Sequence, residues 1–238
     1  MRILLIGYGK MGKAIETVAK ARNHTIAGIL DPMMERSFDF KAAVDVAIEF
    51  TMPESAPNNI RLCVGHNIPI VAGTTGWLQH KKEIDDYCHQ KRGTFFYASN
   101  YSLGVNIFFK LNEHLARMMK SQNDYDVSID EIHHDQKKDA PSGTAITLAE
   151  GIIKNSTRKK QWVKSNGDGQ KPDDLVIRSF REGPVPGTHI IKYQSAIDDL
   201  EIKHTAHSRE GFAMGAVLVA EWLPRQKGVL GMDDFLKF

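Results

Sequence analysis

Residues 2–12 limit the fold more than any other stretch of this chain. Arg2 to Ile6 (RILLI) is a short apolar run without polar alternation, the pattern of a strand covered on both faces, as in a parallel sheet. It leads without a spacer into Gly7-Tyr8-Gly9-Lys10-Met11-Gly12, a G-x-G-x-x-G. Met11, Ile15, Val18 and Ala19 then fall on one face of a helix. A second apolar run, His24 to Leu30, ends in Asp31, 19 residues after Gly12. Strand, glycine turn, helix and a second strand ending in an acid make a βαβ unit, and a chain that begins this way builds an open parallel sheet.

Each glycine has a mechanical reason. Gly7 allows a tight turn, Gly9 lets the backbone approach a pyrophosphate, and Gly12 lets the helix pack closely on the strand. Asp31 would accept hydrogen bonds from the adenosine ribose hydroxyls and would repel a 2′-phosphate. Pro32 and Met33 follow it, where a phosphate-binding arginine would be expected, and the direction of the nearby Arg36 is open. The cofactor expected is therefore NADH in preference to NADPH. A tight β–α turn with no ligand is the alternative for the glycines taken alone.

The rhythm continues to about residue 100. Val44 to Phe50, Ile68 to Ala72 and Thr94 to Ala98 read as strands, and 54–66 and 77–92 as helices. An open parallel sheet holds its ligand at the carboxyl ends of its strands. Phe50 and Thr51, then Gly73, Thr74 and Thr75, then Ala98, Ser99, Asn100 and Tyr101 should therefore line the cofactor, together with Gly7, Tyr8, Gly9, Lys10, Met11, Gly12 and Asp31. Gly73-Thr74-Thr75-Gly76 can equally be read as a turn with a helix cap.

The pattern then changes. A helix is expected over 107–120, with Ile107, Leu111, Leu115 and Met118 on one face and its Phe108, Phe109, Met118 and Met119 as core or subunit contact. Tyr125 to Ile132 (YDVSIDEI) alternates like a half-buried strand, which suits a mixed or antiparallel sheet. A second helix follows Gly143, ending in Arg158-Lys159-Lys160, read as a solvated helix end, and 165–169 is a flexible loop. Three strands, 175–181, 189–195 and 200–206, are separated by short turns and read as a meander, with Arg209 a further positive charge beyond it. Phe212 to Trp222 is a helix able to return to the first domain. The fold expected is α/β: residues 1–104 plus 212–238 as a parallel-sheet domain for the dinucleotide, and 105–211 as an α+β domain with a mixed or antiparallel sheet, for substrate and oligomerisation.

Bulk properties exclude several classes of function. A net charge of +2 over 238 residues gives no electrostatic reason to bind nucleic acid or an anionic membrane. Cys63 and Cys88 are the only cysteines and cannot build a disulfide framework, so a reducing cytoplasm is the expected compartment. The apolar start is too short for a signal peptide. The longest apolar run, 212–223, is interrupted by Glu221 and is too short to span a bilayer.

The chemistry concentrates in Glu131 to Ala145, EIHHDQKKDAPSGTA. A strand end carries His133 and His134, Lys137 follows, and Ser142-Gly143-Thr144 opens a helix. Free N–H groups and the positive end of the helix dipole suit a carboxylate or phosphate. Lys137 adds a full charge, and a histidine can exchange a proton near neutral pH. Plain helix capping by Ser142 or Thr144, with one histidine buried and one exposed, is the other reading of the same residues. No cluster has metal-ligand spacing, so no metal is expected.

Together these blocks resemble the 4-hydroxy-tetrahydrodipicolinate reductase (dihydrodipicolinate reductase) family. Glu131 to Thr144 fits its E-x-H-H-x-x-K-x-D-A-P-S-G-T signature. Gly7 to Gly12, Phe50-Thr51, Gly73 to Gly76 and Asn100 to Asn106 match its other blocks in order. The resemblance implies a Rossmann domain plus a mixed α+β domain that forms a homotetramer. It also implies NAD(P)H-dependent reduction of a small cyclic dicarboxylate in lysine and diaminopimelate biosynthesis. His133 takes the place of the proton donor, Lys137 that of a second donor and substrate ligand, and His134, Gly143 and Thr144 those of substrate contacts. Other Rossmann amino-acid dehydrogenases share the logic of the first half but not the His-His-x-x-Lys arrangement. A dinucleotide-sensing regulator would need a DNA-reading helix or basic face.

Overall fold

The computed structural model describes residues 1–31, 39–40, 43–165, 171–208 and 210–238. Pro32, Met33, Arg36, Arg209 and residues 166–169 lie outside the described residues. Among those described, the chain runs β1 (Arg2–Ile6), α1 (Lys10–Ala21), β2 (Thr25–Leu30), β3 (Val46–Glu49), α2 (Ala56–Gly65), β4 (Ile70–Ala72), α3 (Lys81–Lys91) and β5 (Thr94–Tyr97). It continues with α4 (Leu103–Met118), β6 (Asp126–His133), α5 (Gly143–Asn155), β7 (Gln161–Lys164), β8 (Asp174–Arg181), β9 (Gly187–Gln194) and β10 (Asp199–Ala206). It closes with α6 (Glu210–Trp222), β11 (Gly228–Leu230) and α7 (Met232–Leu236). Two compact units result, Met1–Leu103 with Glu210–Phe238, and Gly104–Arg209.

The first unit is built on a six-stranded parallel sheet in the order β11-β5-β4-β3-β1-β2. Its apolar runs have a simple cause. Successive side chains of a strand face opposite sides, and here both sides are covered. Ile3, Leu5, Val46, Ile48, Val71 and Phe96 pack with α1 and with Ala213, Ala216, Val217 and Ala220 of α6. Leu4, Ile6, Ala47, Ile70, Ala72 and Phe95 pack with α2 and α3. Register fixes the ligand edge. Ile6 lies opposite Leu30 and Glu49, Glu49 opposite Ala72, and Ala72 opposite Tyr97. The residues that follow, Gly7, Asp31, Phe50, Gly73 and Ala98, therefore leave the sheet along one carboxyl edge. The sheet grows in opposite directions from β1, which places a switch-point crevice between β1 and β3. The three-residue β11 was too short to show as a pattern. Trp77 does not open a helix: a 3-10 turn (Leu78–His80) precedes α3, and the buried indole donates to the Thr74 carbonyl at 2.7 Å.

The second unit carries a mixed sheet in the order β10-β9-β6-β8-β7. β6 runs parallel to β8 and antiparallel to β9. The meander is thus half correct: β9 and β10 form a hairpin, but β6 lies between β8 and β9. The β8–β9 turn straddles the end of β6, with Glu182 N–H donating to His133 O at 2.8 Å and Asp135 N–H to Gly183 O at 3.2 Å.

Two further expectations are corrected. Lys159 is not on a solvated helix end but buried. Its ammonium donates to Pro172 O at 3.0 Å and Asp174 O at 2.7 Å and pairs with Asp126 at 2.7 Å. Helix α4 buries Val105, Phe108, Asn112, Leu115 and Ala116, and leaves Ile107, Leu111 and Met118 exposed. The face is displaced because a polar residue belongs to it: the Asn112 amide donates to Leu148 O of α5 at 2.9 Å. Among the described residues no helix is long and apolar enough to cross a membrane.

Lys159→Met keeps the aliphatic stem and removes the charge-assisted hydrogen bonds. A loss of about 2 kcal/mol is expected, read as a lower urea midpoint at an unchanged m-value. A midpoint at or above that of the unmodified protein would mean the ammonium does not stabilise this fold.

Candidate functional site

At the carboxyl edge of the parallel sheet the three loop glycines separate by cause. Gly7 has φ +90°, and a methyl group there would come within 2.1 Å of the Phe50 carbonyl oxygen. At Gly12 a methyl would lie 2.3 Å from the Gly7 carbonyl oxygen. Both positions are fixed by the protein's own packing. At Gly9 nothing lies within 4 Å of such a methyl, and Gly9 caps α1 with extended backbone and no side chain. The helix start therefore opens onto free space, a cradle suited to a phosphate. Asp31 is tied to this loop, its Oδ2 accepting from Tyr8 N–H at 2.6 Å. The Tyr8 hydroxyl donates to Glu16, and Lys10 is exposed with Met11 half-buried beside it.

A residue not singled out in the sequence organises the neighbouring loops. Glu49, fully buried at the end of β3, accepts from Thr51 N–H at 3.0 Å, from the Thr51 hydroxyl, and from the Thr74 hydroxyl at 2.8 Å. Thr74 also accepts from Thr51 N–H at 2.7 Å. Burial pushes the Glu49 carboxyl above its usual range against these hydrogen bonds. The hydroxyls of Thr51 and Thr74 thus turn inward and Thr75 is exposed, while the Phe50 ring lies against Gly73. Ser99 is exposed and Ala98 nearly covered. Asn100 accepts from Ser102 N–H at 2.9 Å. The Tyr101 side chain is a core group, donating to Ala72 O at 2.7 Å; only its backbone remains for a ligand.

In the second unit, the two-residue period of β6 puts Val127, Ile129, Glu131 and His133 on one face, all buried. His134, next along, is half-buried. Glu131 stands opposite His189 on β9 and opposite Ser179 on β8, and His133 opposite Arg181. The carboxylate meets Ser142 N–H at 2.9 Å, His133 Nδ1 at 3.5 Å, His189 Nε2 at 3.9 Å and Arg181 Nη2 at 3.5 Å, and Ser179 also bonds to it. The His133 and His189 rings meet edge to face at 5.1 Å. Ser142 caps α5, its hydroxyl accepting from Ala145 N–H at 3.2 Å and lying 3.1 Å from His189 Nε2. Arg181 also pins the preceding loop, donating to Asp139 O at 2.6 Å and Lys137 O at 3.3 Å.

Lys137 pairs with both oxygens of the exposed Asp139 at 2.8 Å. Such a pair is worth little in water and is readily exchanged for a better anion. Gly143 is exposed with open space beside it, and Thr144 is half-buried.

The electrostatics follow from burial and neighbours. Burial drives His133 below its usual titration range; Glu131 opposes this, and Lys137 and Arg181 add to it. His189 is pushed down to about 3, by burial first and by His133 next. Burial alone would raise Glu131, but hydrogen bonds from Ser142 and Ser179 and the charge of His133 bring it below its ordinary value. Donor atoms of Glu131, His133 and His189 lie within 4.8 Å of one another. The Arg181 guanidinium beside the same carboxylate already supplies a cation there. The sequence reading found His133, His134, Lys137, Gly143 and Thr144. It missed Arg181, Ser179 and His189 as partners because only strand register brings them to Glu131.

Comparison with known proteins gives a consistent set of likenesses. A family model described as "Dihydrodipicolinate reductase, N-terminus" matches residues 1–101, and one described as "Dihydrodipicolinate reductase, C-terminus" matches residues 104–236. A 4-hydroxy-tetrahydrodipicolinate reductase of Christiangramia forsetii is 48% identical over 236 residues, 99% of this chain and 98% of its own. A protein of the same name from Methanosarcina acetivorans is 36% identical over 198 residues, 82% of this chain and 74% of its own. Among solved structures, the dipicolinate-bound dihydrodipicolinate reductase of Paenisporosarcina sp. TG-14 has a TM-score of 0.81 at 23% identity, covering 98% of each chain. That last likeness is one of fold.

The His189 environment makes a pH prediction with a definite sign. Its folded pKa, about 3, lies below the ordinary 6.5, so between those values the unfolded chain binds a proton that the folded chain refuses. This part of the stability is complete above pH 6.5 and is lost as pH falls toward 3. His189→Gln should show a distinctly shallower loss of urea midpoint from pH 7 to pH 4. Parallel slopes in the two proteins would contradict the burial of a neutral imidazole.

Proposed function

The chain belongs to the dihydrodipicolinate reductase family, and from that premise we propose how its residues divide the reaction. The protein is an NAD(P)H-dependent oxidoreductase that reduces 4-hydroxy-tetrahydrodipicolinate to tetrahydrodipicolinate in lysine and diaminopimelate biosynthesis. When bound, the reduced nicotinamide supplies a hydride. The start of α1 at Gly9 receives the pyrophosphate. Gly7, Tyr8, Lys10, Met11 and Gly12 shape that cradle, and Phe50, Thr51, Gly73, Thr74, Thr75, Ala98, Ser99, Asn100 and Tyr101 form the remaining edge. Asp31 accepts from the ribose hydroxyls and disfavours a 2′-phosphate, which makes NADH the preferred cofactor.

The substrate is a small dicarboxylate, as is the dipicolinate held by the Paenisporosarcina reductase. Its two negative charges fall to Lys137, His134 and the start of α5. There Ser142 N–H is engaged by Glu131 and Ala145 N–H by the cap. Gly143 and Thr144 occupy the first-turn positions whose N–H groups have no intrahelical partner. Loss of the 4-hydroxyl as water gives a conjugated imine, and hydride addition to it leaves an electron pair on carbon that must take up a proton. His133 gives that proton from Nε2, since its Nδ1 faces Glu131. Gly187 keeps Nε2 uncrowded: a methyl there would lie 3.1 Å from it. The observation that carries this assignment is the grouping of His133, Glu131 and the α5 start on one strand end. We further read the protein as a cytoplasmic homotetramer assembled through the second unit.

Pyruvate and aspartate semialdehyde condensed by the preceding synthase should support rapid oxidation of NADH, and slower oxidation of NADPH, when this protein is added. His133→Ala and Lys137→Ala should each lower turnover by about 10²-fold or more with NADH affinity nearly unchanged. Undiminished turnover in either would remove the assigned role. Asp31→Asn keeps an acceptor for Tyr8 N–H, so it should raise KM for NADH well above any change for NADPH. Equal changes would exclude a ribose contact.

A further inference from the structure

We propose that Glu131 is the positioning residue that makes His133 a proton donor: its carboxylate is the counter-charge for the protonated ring and holds the start of the substrate-binding helix in the same place. This rests on the donor role given to His133 above. Glu131 is wholly buried, its carboxylate held by hydrogen bonds from Ser142 and Ser179, with Ser142 N–H 2.9 Å from Oε2. The next neighbour of the same oxygen is His133 Nδ1 at 3.5 Å, a buried nitrogen without a hydrogen-bond partner. A buried polar atom left unpaired is costly, and the two lie a few tenths of an ångström beyond hydrogen-bond contact.

Protonation of His133 resolves this state. The ring then presents N–H at both nitrogens. Nδ1–H closes on Oε2 as a charge-assisted hydrogen bond, and Nε2–H remains for the substrate beside Gly187, where a methyl would come within 3.1 Å of it. In the uncharged ring burial dominates, with Lys137 and Arg181 also disfavouring a proton, and Glu131 the leading opposing group. The groups facing His133 are Glu131 on its own strand, Lys137 and Asp139 on the following loop, Arg181 on β8, His189 on β9 and the start of α5. A dianionic substrate at that helix start would neutralise Lys137 and favour the proton on His133 when it is needed. When the proton leaves Nε2 for the substrate carbon, the ring returns to neutral and the Glu131 contact loosens. No charge is left stranded, and water restores the proton after product leaves.

Glu131→Gln keeps an oxygen able to accept from Ser142 N–H and removes the negative charge. Turnover should fall by about 10²-fold, while KM for the dicarboxylate and for NADH should each change by less than about 3-fold. The His133 limb of the kcat/KM pH profile should move to lower pH, and the His133 ring resonance should titrate correspondingly lower in the folded protein by NMR. A variant that loses turnover with an unmoved pH profile and an unmoved ring titration would show a merely structural role and overturn the proposal, as would undiminished turnover. Glu131→Asp, which keeps the charge one methylene further away, should restore part of the turnover and titrate between the other two proteins. If the Gln variant does not fold, the Asp variant decides, and an unmodified ring titration in it would count against the proposal. His133→Ala is measured alongside: full turnover there would dismiss the donor assignment itself, whatever Glu131 does.

Discussion

A strand buried on both faces cannot carry chemistry along its length, because every side chain is surrounded by apolar neighbours. It can deliver chemistry only where it ends. Ile3, Leu4, Leu5 and Ile6 are each at most 1% exposed, and the first residue free to do otherwise is Gly7. The same holds for β3, which ends at Glu49 and releases Phe50 and Thr51, and for β4, which releases Gly73 and Thr74. Parallel pairing then aligns these ends. One ligand edge follows from hydrophobic burial plus register, without any interaction made for that purpose.

Both units also place a carboxylate, wholly buried, at a strand end, with opposite electrostatic outcomes. Glu49 is surrounded by hydroxyls and a backbone N–H, and burial wins, so its carboxyl titrates high. Glu131 is surrounded by hydroxyls, a backbone N–H, two imidazoles and a guanidinium, and the donors win, so its carboxyl titrates low. At Glu131 the hydrogen bonds from Ser142 and Ser179 come first among the groups that lower it, and the charge of His133 adds to them. Glu49 is accordingly suited to holding two loops together, Glu131 to balancing a proton. Arg181 contributes twice, by its charge and by binding the carbonyl oxygens of the loop that carries Lys137.

Much of this was legible in the residues. The alternation in YDVSIDEI marked a half-buried strand. The glycine spacing and Asp31 gave the first βαβ unit, and the signature around His133 and Lys137 gave the family. What remained hidden depends on information that one-dimensional patterns lack. Ser179, Arg181 and His189 are ordinary strand residues until register sets them against Glu131 and His133, and the insertion of β6 between β8 and β9 defeats the simplest assumption about neighbours. Lys159 was misread because polarity was taken for exposure, and Asn112 was not singled out at all. Each is buried with its polar atoms matched to carbonyl oxygens, which a hydropathy pattern cannot anticipate.

Ser142 ties the proposed grip on the anion to the proposed handling of the proton. An N-cap normally satisfies part of its own helix and no more. This one does that through Oγ, gives its N–H to Glu131, and places the same Oγ beside His189. With these groups committed inward, the helix offers a ligand the N–H groups of the next two residues, Gly143 and Thr144. Gly143 is exposed with nothing beside it, so an anion can come close to the backbone. The carboxylate that fixes where this helix begins is the one nearest the His133 ring. A shift of α5 toward or away from an anion must therefore be felt at Glu131, and through it by the nitrogen that faces it.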